Sequence, residues 1–596
     1  MPEVTEEIQV KFQRRISKVA IAGLFVLYCL PALSQDYDPY PPNILPENLV
    51  AEIERVRGEV RVAFDRALAE WKALGPIARK SNPPDIAGNG YSAVALLGEL
   101  MNYDESISVR GNQACAFCHM PYVGFGGSIP SVNLTMSAYP GSVHFRSVDR
   151  TPMRYTYAPH FPVLQYNETQ QDFYGGNFWD GRSTGYQLQN PNAEQASEPL
   201  VSEGEMGFPD LACVAYRLSQ TQYRPLFEAI WGEASFDIEW PDETEQVCTT
   251  PAGAAELGKS VSPVQISSKD RVLANKILNH WGQSLSFYQS TTDVSAFSSK
   301  FDAYLAGDYD LTTDEKAGYD LFRGRGNCNS CHLVGTSTLL KTGETDTGAP
   351  SDVAPLFTDF TYVNIGLPLN PRLPEFYETQ ADATGYVGNP DGFGHRDLGM
   401  GGFLRSLKGI NPNADWLRYA PSFDGAMQTV SARNVAMTPP QCPTTEAGRL
   451  DKNGNPIPYF QKAFFHNGYV KSIKQLVHFY NTRDTYAYGV TSGNCPEGTT
   501  ERVDCWPKPE IPNNVDTTIG DLGLTDQEED QIVAFLETLT DGFTTPFPNR
   551  DIYAGACQTG GSAATQGNEM LIATPELPAC PAELCAVAPV PDPPLR

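Results

Sequence analysis

The sequence has no surplus of positive charge. Its 596 residues carry 43 Lys and Arg against 71 Asp and Glu, a formal net charge of −28. A surface of that sign repels phosphates, which excludes nucleic acid as a partner. Long apolar runs are missing too. The longest, Val19–Leu30, holds about a dozen residues, where a bilayer-spanning helix needs ~20. No stretch alternates apolar and polar residues as a half-buried strand does, so a sheet-built fold is not expected. Histidine is scarce, with eight in the chain, so a histidine beside reactive side chains carries information. Glycine (51) and proline (48) are plentiful instead and predict long loops between helices.

Lys11, Arg14, Arg15 and Lys18 precede the apolar run, and Ala32, Leu33 and Ser34 offer small residues for cleavage before Gln35. Residues 1–34 therefore read as a signal peptide, with a periplasmic, cell-surface or secreted mature protein expected. The competing reading is a short membrane anchor. Thirteen cysteines are present. Cys29 lies in the leader, and four fall in the motifs described below. The remaining eight are Cys213, Cys248, Cys442, Cys495, Cys505, Cys557, Cys580 and Cys585, an even set that suggests disulfides in an exported chain. Proximity favours Cys213 with Cys248 and Cys495 with Cys505; the other connectivity is open.

Residues 35–84 form an N-terminal extension. Leu49, Ile53, Val56, Val60, Phe64, Leu68, Trp71 and Leu74 recur at three- and four-residue steps, which predicts an amphipathic helix stopped by Gly75-Pro76. That helix reads as packing. Thr312 with Glu315, and Thr525 with Glu528, have the spacing of capping boxes that open helices. The expected fold is mainly α. Two cytochrome c-like haem domains with long loops and insertions, residues 85–270 and 271–545, precede an irregular Cys- and Pro-containing tail, 546–596.

Two pentapeptides carry the chemistry: CAFCH at 115–119 and CNSCH at 328–332. Two thiols at this spacing reach the two vinyl groups of one porphyrin, and the adjacent histidine supplies an imidazole to iron. Composition alone yields ~0.004 chance matches if Cys and His are independent. A zinc site would join the two half-sites into one four-ligand centre, but each sits in a separate haem-like context. The reading is two covalently bound haem c groups: one through Cys115, Cys118 and His119, one through Cys328, Cys331 and His332. The proximal metal ligands are then His119 and His332.

The surrounding segments resemble the bacterial di-haem cytochrome c peroxidase and MauG family over most of residues 90–545. The likeness is carried by LLGELMNYDESISVRGNQACAFCHMPYVGFGG around the first motif, NFWDGR (177–182), EQASEPLVSEGEMG (194–207) and SKFDAYLAGD (299–308). It continues in VNIGLPLNP (363–371), SARNVAMTPP (431–440) and FFHNGYVKSIKQLVHFYNTRD (464–484). Extra residues after NFWDGR, about two dozen more between Pro440 and Phe464, the N-terminal helix and the tail depart from the pattern.

The resemblance implies that the first haem is the peroxidatic one, with Glu205 as acid–base group and Gln195 beside it; Pro199 completes the spacing. It implies that Trp179 lies between the haems and carries electrons, and that His466 sits near the second haem. A lone Glu otherwise reads as a solvated charge and a lone Trp as a core aromatic. His144 is a weak candidate for a distal ligand that would block the first haem; an ordinary loop histidine is the stronger reading. His160, His280, His395 and His478 read as structural. Where classical members have a methionine ligand to the second haem, this chain has Tyr480, as the MauG branch does; the rival readings are a packing tyrosine or His478 as ligand. The family's inter-haem calcium uses an Asn side chain where this chain has Arg150, while Thr438 and Pro440 match other calcium positions, so Ca2+ is an open cofactor.

The function expected first is a peroxidase that reduces hydrogen peroxide with electrons from a small redox protein, a cytochrome c or a cupredoxin, through the second haem. The alternative is MauG-like oxidation of aromatic (Trp) side chains of a partner protein, with two oxidising equivalents shared by both haems. A non-catalytic electron-transfer cytochrome is the reading from a different class, and Gln195 and Glu205 argue against it. A homodimer is allowed. The motifs make one direct prediction: the denatured protein keeps its haem stain, and its mass exceeds that of the polypeptide by two haem groups. Release of haem by acid–acetone extraction would refute it.

Overall fold

The computed structural model describes residues 47–545 apart from 75–92, 335–354, 407–413, 438–444, 451–455, 459–462 and 486–494, and apart from 130–131, 134–135, 145, 257–258, 497 and 500. The expected leader and tail, Thr438, Pro440, Cys442, Cys557, Cys580 and Cys585 lie outside the described residues. Helix dominates, and the strands among the described residues pair only into two-stranded ribbons. The longer helices are α1 (Glu47–Leu74), α2 (Ala93–Tyr103), α3 (Ala212–Leu218), α4 (Arg224–Trp231) and α5 (Ser268–Gln289). They continue as α6 (Lys300–Ala306), α7 (Thr313–Arg323), α8 (Gly399–Ser406), α9 (Ile473–Thr482) and α10 (Asp526–Glu537).

Helix α1 follows its expected stripe. Ile53, Val56, Val60 and Leu68 are buried, while Leu74 at the last turn is exposed. Its polar side has a task that periodicity does not reveal. Arg55 donates to Glu59 (2.7 Å) and to the Tyr122 hydroxyl, which itself donates to Glu59 (2.8 Å). Tyr122 lies three residues past the first CxxCH motif, so α1 anchors the loop that leaves that motif.

One apolar core gathers α2, α3, α4 and α5 around the first motif. The division expected between residues 270 and 271 falls inside α5, whose Ala274, Ile277, Leu278, Trp281 and Leu285 all join this core. A disulfide between Cys213 and Cys248, with Cα atoms 5.3 Å apart, ties α3 to the short helix Thr244–Cys248. A second core gathers α6, α7, α9 and α10 around the second motif. The Thr312/Glu315 and Thr525/Glu528 capping boxes form as expected, and Ser299 with Asp302 adds a third at α6. Each satisfies two backbone N–H groups that the helix leaves unpaired. Cys495 and Cys505 form the second expected disulfide.

Both cores rely on a helix pair that crosses at a glycine. On α2, a Cβ at Gly98 would overlap the Ser284 carbonyl of α5. On α7, a Cβ at Gly318 would overlap the Gln531 carbonyl of α10. Between the cores, the ribbon Tyr362–Val363 pairs antiparallel with Met427–Gln428. Its Gln428 N–H donates to the Trp179 carbonyl (2.8 Å), which seats NFWDGR against the second half of the chain.

These contacts set two opposite expectations for glycine substitution. Gly318→Ala forces α7 from α10 and should cost about 1–3 kcal/mol. On α1, a Cβ at Gly58 would meet nothing within 4 Å, so Gly58→Ala should stabilise by roughly 0.5–1 kcal/mol through lost unfolded-state freedom. Thermal unfolding of the two variants against the parent checks both signs.

Candidate functional site

The first motif forms a single helical turn, Cys115–Cys118, followed by His119. The His119 ring is half-buried, and its Nδ1 lies 3.0 Å from the carbonyl of Phe125. Burial lowers its pKa to about 4, against smaller opposing effects of the Phe125 and Met153 backbone, so the imidazole is neutral. With Nδ1–H donating to the carbonyl, Nε2 carries the free lone pair, the arrangement a metal-bound histidine uses. The second motif is built the same way from a 3-10 turn, Cys328–Ser330. His332 Nδ1 lies 2.9 Å from the carbonyl of Phe357. Phe125 and Phe357 both have positive φ, 59° and 53°, which turns each carbonyl toward its histidine.

All four motif cysteines are free thiols, whereas Cys213, Cys248, Cys495 and Cys505 are paired. Thiols left reduced at both motifs, each beside an imidazole whose Nδ1 meets a backbone carbonyl, fit thioether attachment of haem. Buried polar atoms without partners strengthen the fit at the first site. Asn102 Nδ2 and Gln113 Oε1 are both buried and unpaired, and both residues line the cavity over Cys115 and Cys118. These two carried no motif signal of their own; for Gln113 the only hint is its place two residues ahead of Cys115.

Gln195, Pro199 and Glu205 line this same cavity with Cys115, Cys118 and His119. Gln195 ends the short helix Pro191–Gln195, which Asn190 caps. Glu205 sits on a tight loop whose backbone is tied at both ends: its N–H donates to the Ser202 carbonyl (3.1 Å) and its carbonyl accepts from Ser142 (2.6 Å). Burial pushes the Glu205 carboxyl up to about 7, partly offset by a hydrogen bond from Ser202. His144 is not part of this lining. Its Nε2 is engaged by Arg57 of α1 and Asn112, which favours the loop-histidine reading over a distal ligand.

A larger cavity runs from the second motif to the region between the motifs. Cys328, Cys331, His332, Phe465, Leu476 and Tyr480 line one part, and Trp179, Thr151, His466, Asp397 and Glu510 line another. Tyr480 projects from α9, and its phenol hydroxyl makes no hydrogen bond to any described residue. His478 on the same helix has both ring nitrogens occupied, Nδ1 by Glu529 (2.8 Å) and Nε2 by the Val503 carbonyl (2.7 Å). It has no nitrogen left for iron. The two methionines of this cavity belong to its other part. The Met153 carbonyl supports His119, and the Met427 side chain lies beside Gly399.

Trp179 donates its indole N–H to the Thr151 carbonyl (3.1 Å), and its ring lies edge-on to His466 with centroids 6.2 Å apart. His466 is lowered to about 4, chiefly by burial, and is neutral. Among the described residues no group of three or more His, Cys, Asp or Glu side chains is arranged to hold a metal ion, and no helix is long and apolar enough to cross a membrane.

Comparison with known proteins agrees with this geometry. Residues 92–310 match the sequence model of the family described as di-haem cytochrome c peroxidase. The methylamine utilization protein MauG of Paracoccus denitrificans is 28% identical over 488 residues, 81% of this chain and 96% of MauG. The cytochrome-c peroxidase IdrP1 of Denitromonas iodatirespirans is 23% identical over 483 residues, 79% of this chain and 87% of that one. Among solved structures, the diheme peroxidase BthA of Burkholderia thailandensis shares the fold with a TM-score of 0.51 at 23% identity, covering 76% of this chain and 86% of BthA. Twin CxxCH motifs with matching histidine geometry, and a likeness that runs through nearly all of MauG, lead to one assignment: the chain is an oxidoreductase whose residues 92–310 match the di-haem cytochrome c peroxidase family.

Proposed function

We propose that this protein reduces hydrogen peroxide at the Cys115–His119 site with electrons that enter through the Cys328–His332 site from a protein outside the chain. The observation that carries the reading is the convergence of Glu205 and Gln195 on the cavity over the first motif. Cys115, Cys118 and His119 would hold a haem c, which would supply the iron chemistry for cleavage of the peroxide O–O bond. The balance is one peroxide, two electrons and two protons to two waters. Glu205 takes the proton from the near oxygen and returns it to the departing one, a role suited to a carboxyl whose pKa lies near neutrality. Gln195, Asn102 and Gln113 orient the bound peroxide through their amide groups. Trp179 is the aromatic relay between the sites; Cys328, Cys331 and His332 would hold a second haem c, with the Tyr480 phenol as a further donor to its iron, and that group would supply the centre that accepts incoming electrons. The two sites form separate haem domains in this reading. The disulfides and the expected leader support a periplasmic or cell-surface location.

A small cytochrome c or cupredoxin is the first candidate donor. Tyr480 favours a second reading. A phenolate is a hard anionic ligand that lowers iron potential, which makes the second haem a poor acceptor from a high-potential donor. Electrons would then be drawn, as in MauG-like chemistry, from an aromatic (Trp) side chain of a protein substrate. Peroxide turnover with a reduced small cytochrome, set against oxidation of a co-purified partner protein, separates the two.

Two measurements test the assigned residues. Glu205→Gln should cut peroxide turnover by ~10²–10⁴-fold while both haems stay attached. In the parent, the ionised form of Glu205 is lost as pH falls through about 7, so the rate of reaction with peroxide should fall over that range, and this pH step should vanish in the variant. Near-parental turnover in Glu205→Gln would remove it from the role. Tyr480→Met should raise the second haem's potential by on the order of 100 mV, within the ~0.8 V that axial ligands span. Redox titration reads this, and an unchanged potential would exclude Tyr480 as ligand.

A further inference from the structure

Between the two sites lies a charged group that the proposed function does not use. Arg150, Asp180 and Asp397 come from three separate segments, and their side chains are 12%, 10% and 15% exposed. The Arg150 guanidinium grips Asp397 with two bonds, Nε to Oδ2 (2.7 Å) and Nη2 to Oδ1 (2.7 Å). Its third nitrogen, Nη1, donates to Asp180 Oδ2 (2.8 Å). The other acceptor positions are filled as well. Asp397 Oδ1 also accepts from the Gly399 N–H (2.9 Å). Both Asp180 oxygens accept from the Arg182 guanidinium, and Oδ1 also accepts from the Arg182 N–H (3.2 Å). Every carboxylate oxygen of the two aspartates is thus already an acceptor.

The family resemblance raises the expectation of a calcium ion in this region, with an Asn where this chain has Arg150. Calcium takes six to eight oxygen ligands. Here a fixed positive charge stands at that sequence position, and the two aspartates it meets have no free oxygen. We infer that the Arg150 guanidinium is the resident cation between the two haem sites, in place of calcium, and that it positions Trp179 without a metal. Burial works against the charge on both aspartates, yet the guanidinium outweighs it and holds both carboxyls below their usual range. A bidentate guanidinium–carboxylate pair supplies direction as well as charge.

The link to Trp179 is a pair of adjacent rungs. Arg150 bonds to Asp180, and the next residue on one strand, Thr151, accepts from the preceding residue on the other, Trp179. Thr151 further donates its N–H to the His466 carbonyl (2.6 Å) and its hydroxyl to the Phe465 carbonyl (2.7 Å). The guanidinium therefore fixes one rung, and the Trp179 indole hangs on the next. The inference stands whichever electron source feeds the second haem.

Metal analysis of the dialysed wild-type holoprotein tests it directly. Calcium should be far below one per two irons, EGTA should leave the optical spectrum and turnover unchanged, and calorimetry should detect no calcium binding. One tightly held calcium per chain, or a spectral change on EGTA that calcium reverses, would overturn the inference. Arg150→Asn uncovers the Asp397 carboxylate and one acceptor position of Asp180, which Arg182 still holds. It should bind calcium reversibly, and its turnover without calcium should fall by up to ~10²-fold through misplacement of Trp179, with Arg150→Lys recovering part of the loss. A folded Arg150→Asn that binds no calcium and turns over like the parent would also overturn it. Should that variant fail to fold, the wild-type calcium content and EGTA response decide the question alone.

Discussion

Everything at the two sites depends on how two imidazoles are turned. A histidine next to a CxxC pair can ligate iron only if one ring nitrogen is kept free and aimed at the metal. Here each ring is held by a bond between Nδ1 and the carbonyl of a phenylalanine, Phe125 for His119 and Phe357 for His332. Those carbonyls point the right way because both phenylalanines adopt positive φ. A non-glycine residue in that region costs roughly 1–2 kcal/mol, so the surrounding packing must hold it there. The same solution at two places more than 200 residues apart in sequence marks it as the constraint around which each core is organised.

The helical cores serve that constraint. Helix α1 anchors the loop after His119 through Tyr122, and α10 crosses α7 at Gly318 just ahead of the second motif. These are packing contacts with functional consequences, since a shift of the helix pair would move the motif cysteines. The sides of the two cavities differ in chemistry. Over the first motif they present carboxyl and amide groups, suited to moving protons. Over the second they are mainly apolar, with Leu476, Val477, Ile532 and Leu536 beside the phenol of Tyr480, a setting suited to holding an iron at a set potential.

Charge between the sites is arranged by buried arginines. Arg150 joins Asp180 to Asp397, and Arg433 does the same for a different seam, gripping Asp302 with both terminal nitrogens while its Nε donates to the Pro355 carbonyl. Because the guanidinium is planar, permanently charged and multiply donating, one side chain can fasten segments that lie hundreds of residues apart. In an acidic protein such internal cations keep clustered carboxylates from repelling one another. They do so without the exchange that a bound ion undergoes.

The CxxCH motifs, the helix caps, the stripe of α1 and two cysteine pairs were legible because each is a local pattern. The partners in CxxCH or in a capping box lie within a few residues, so their geometry follows from chain connectivity. Glu205, Gln195, Trp179 and Tyr480 were reachable only through resemblance, since a lone Glu or Tyr has no local signature. Other features required the folded chain. The Nε2 of His144 is claimed by Arg57, 87 residues away, and both nitrogens of His478 are claimed by Glu529 and Val503. The first core takes in α5 across residues 270 and 271, because buried side chains decide where a core ends and a Gly- and Pro-rich sequence does not. Sequence by itself determined which atoms could bind haem. Tertiary structure decided which nitrogens stay free, which carboxyl is dry enough to titrate near neutrality and which cation stands between the sites, because desolvation and long-range charge pairing exist only once distant segments meet.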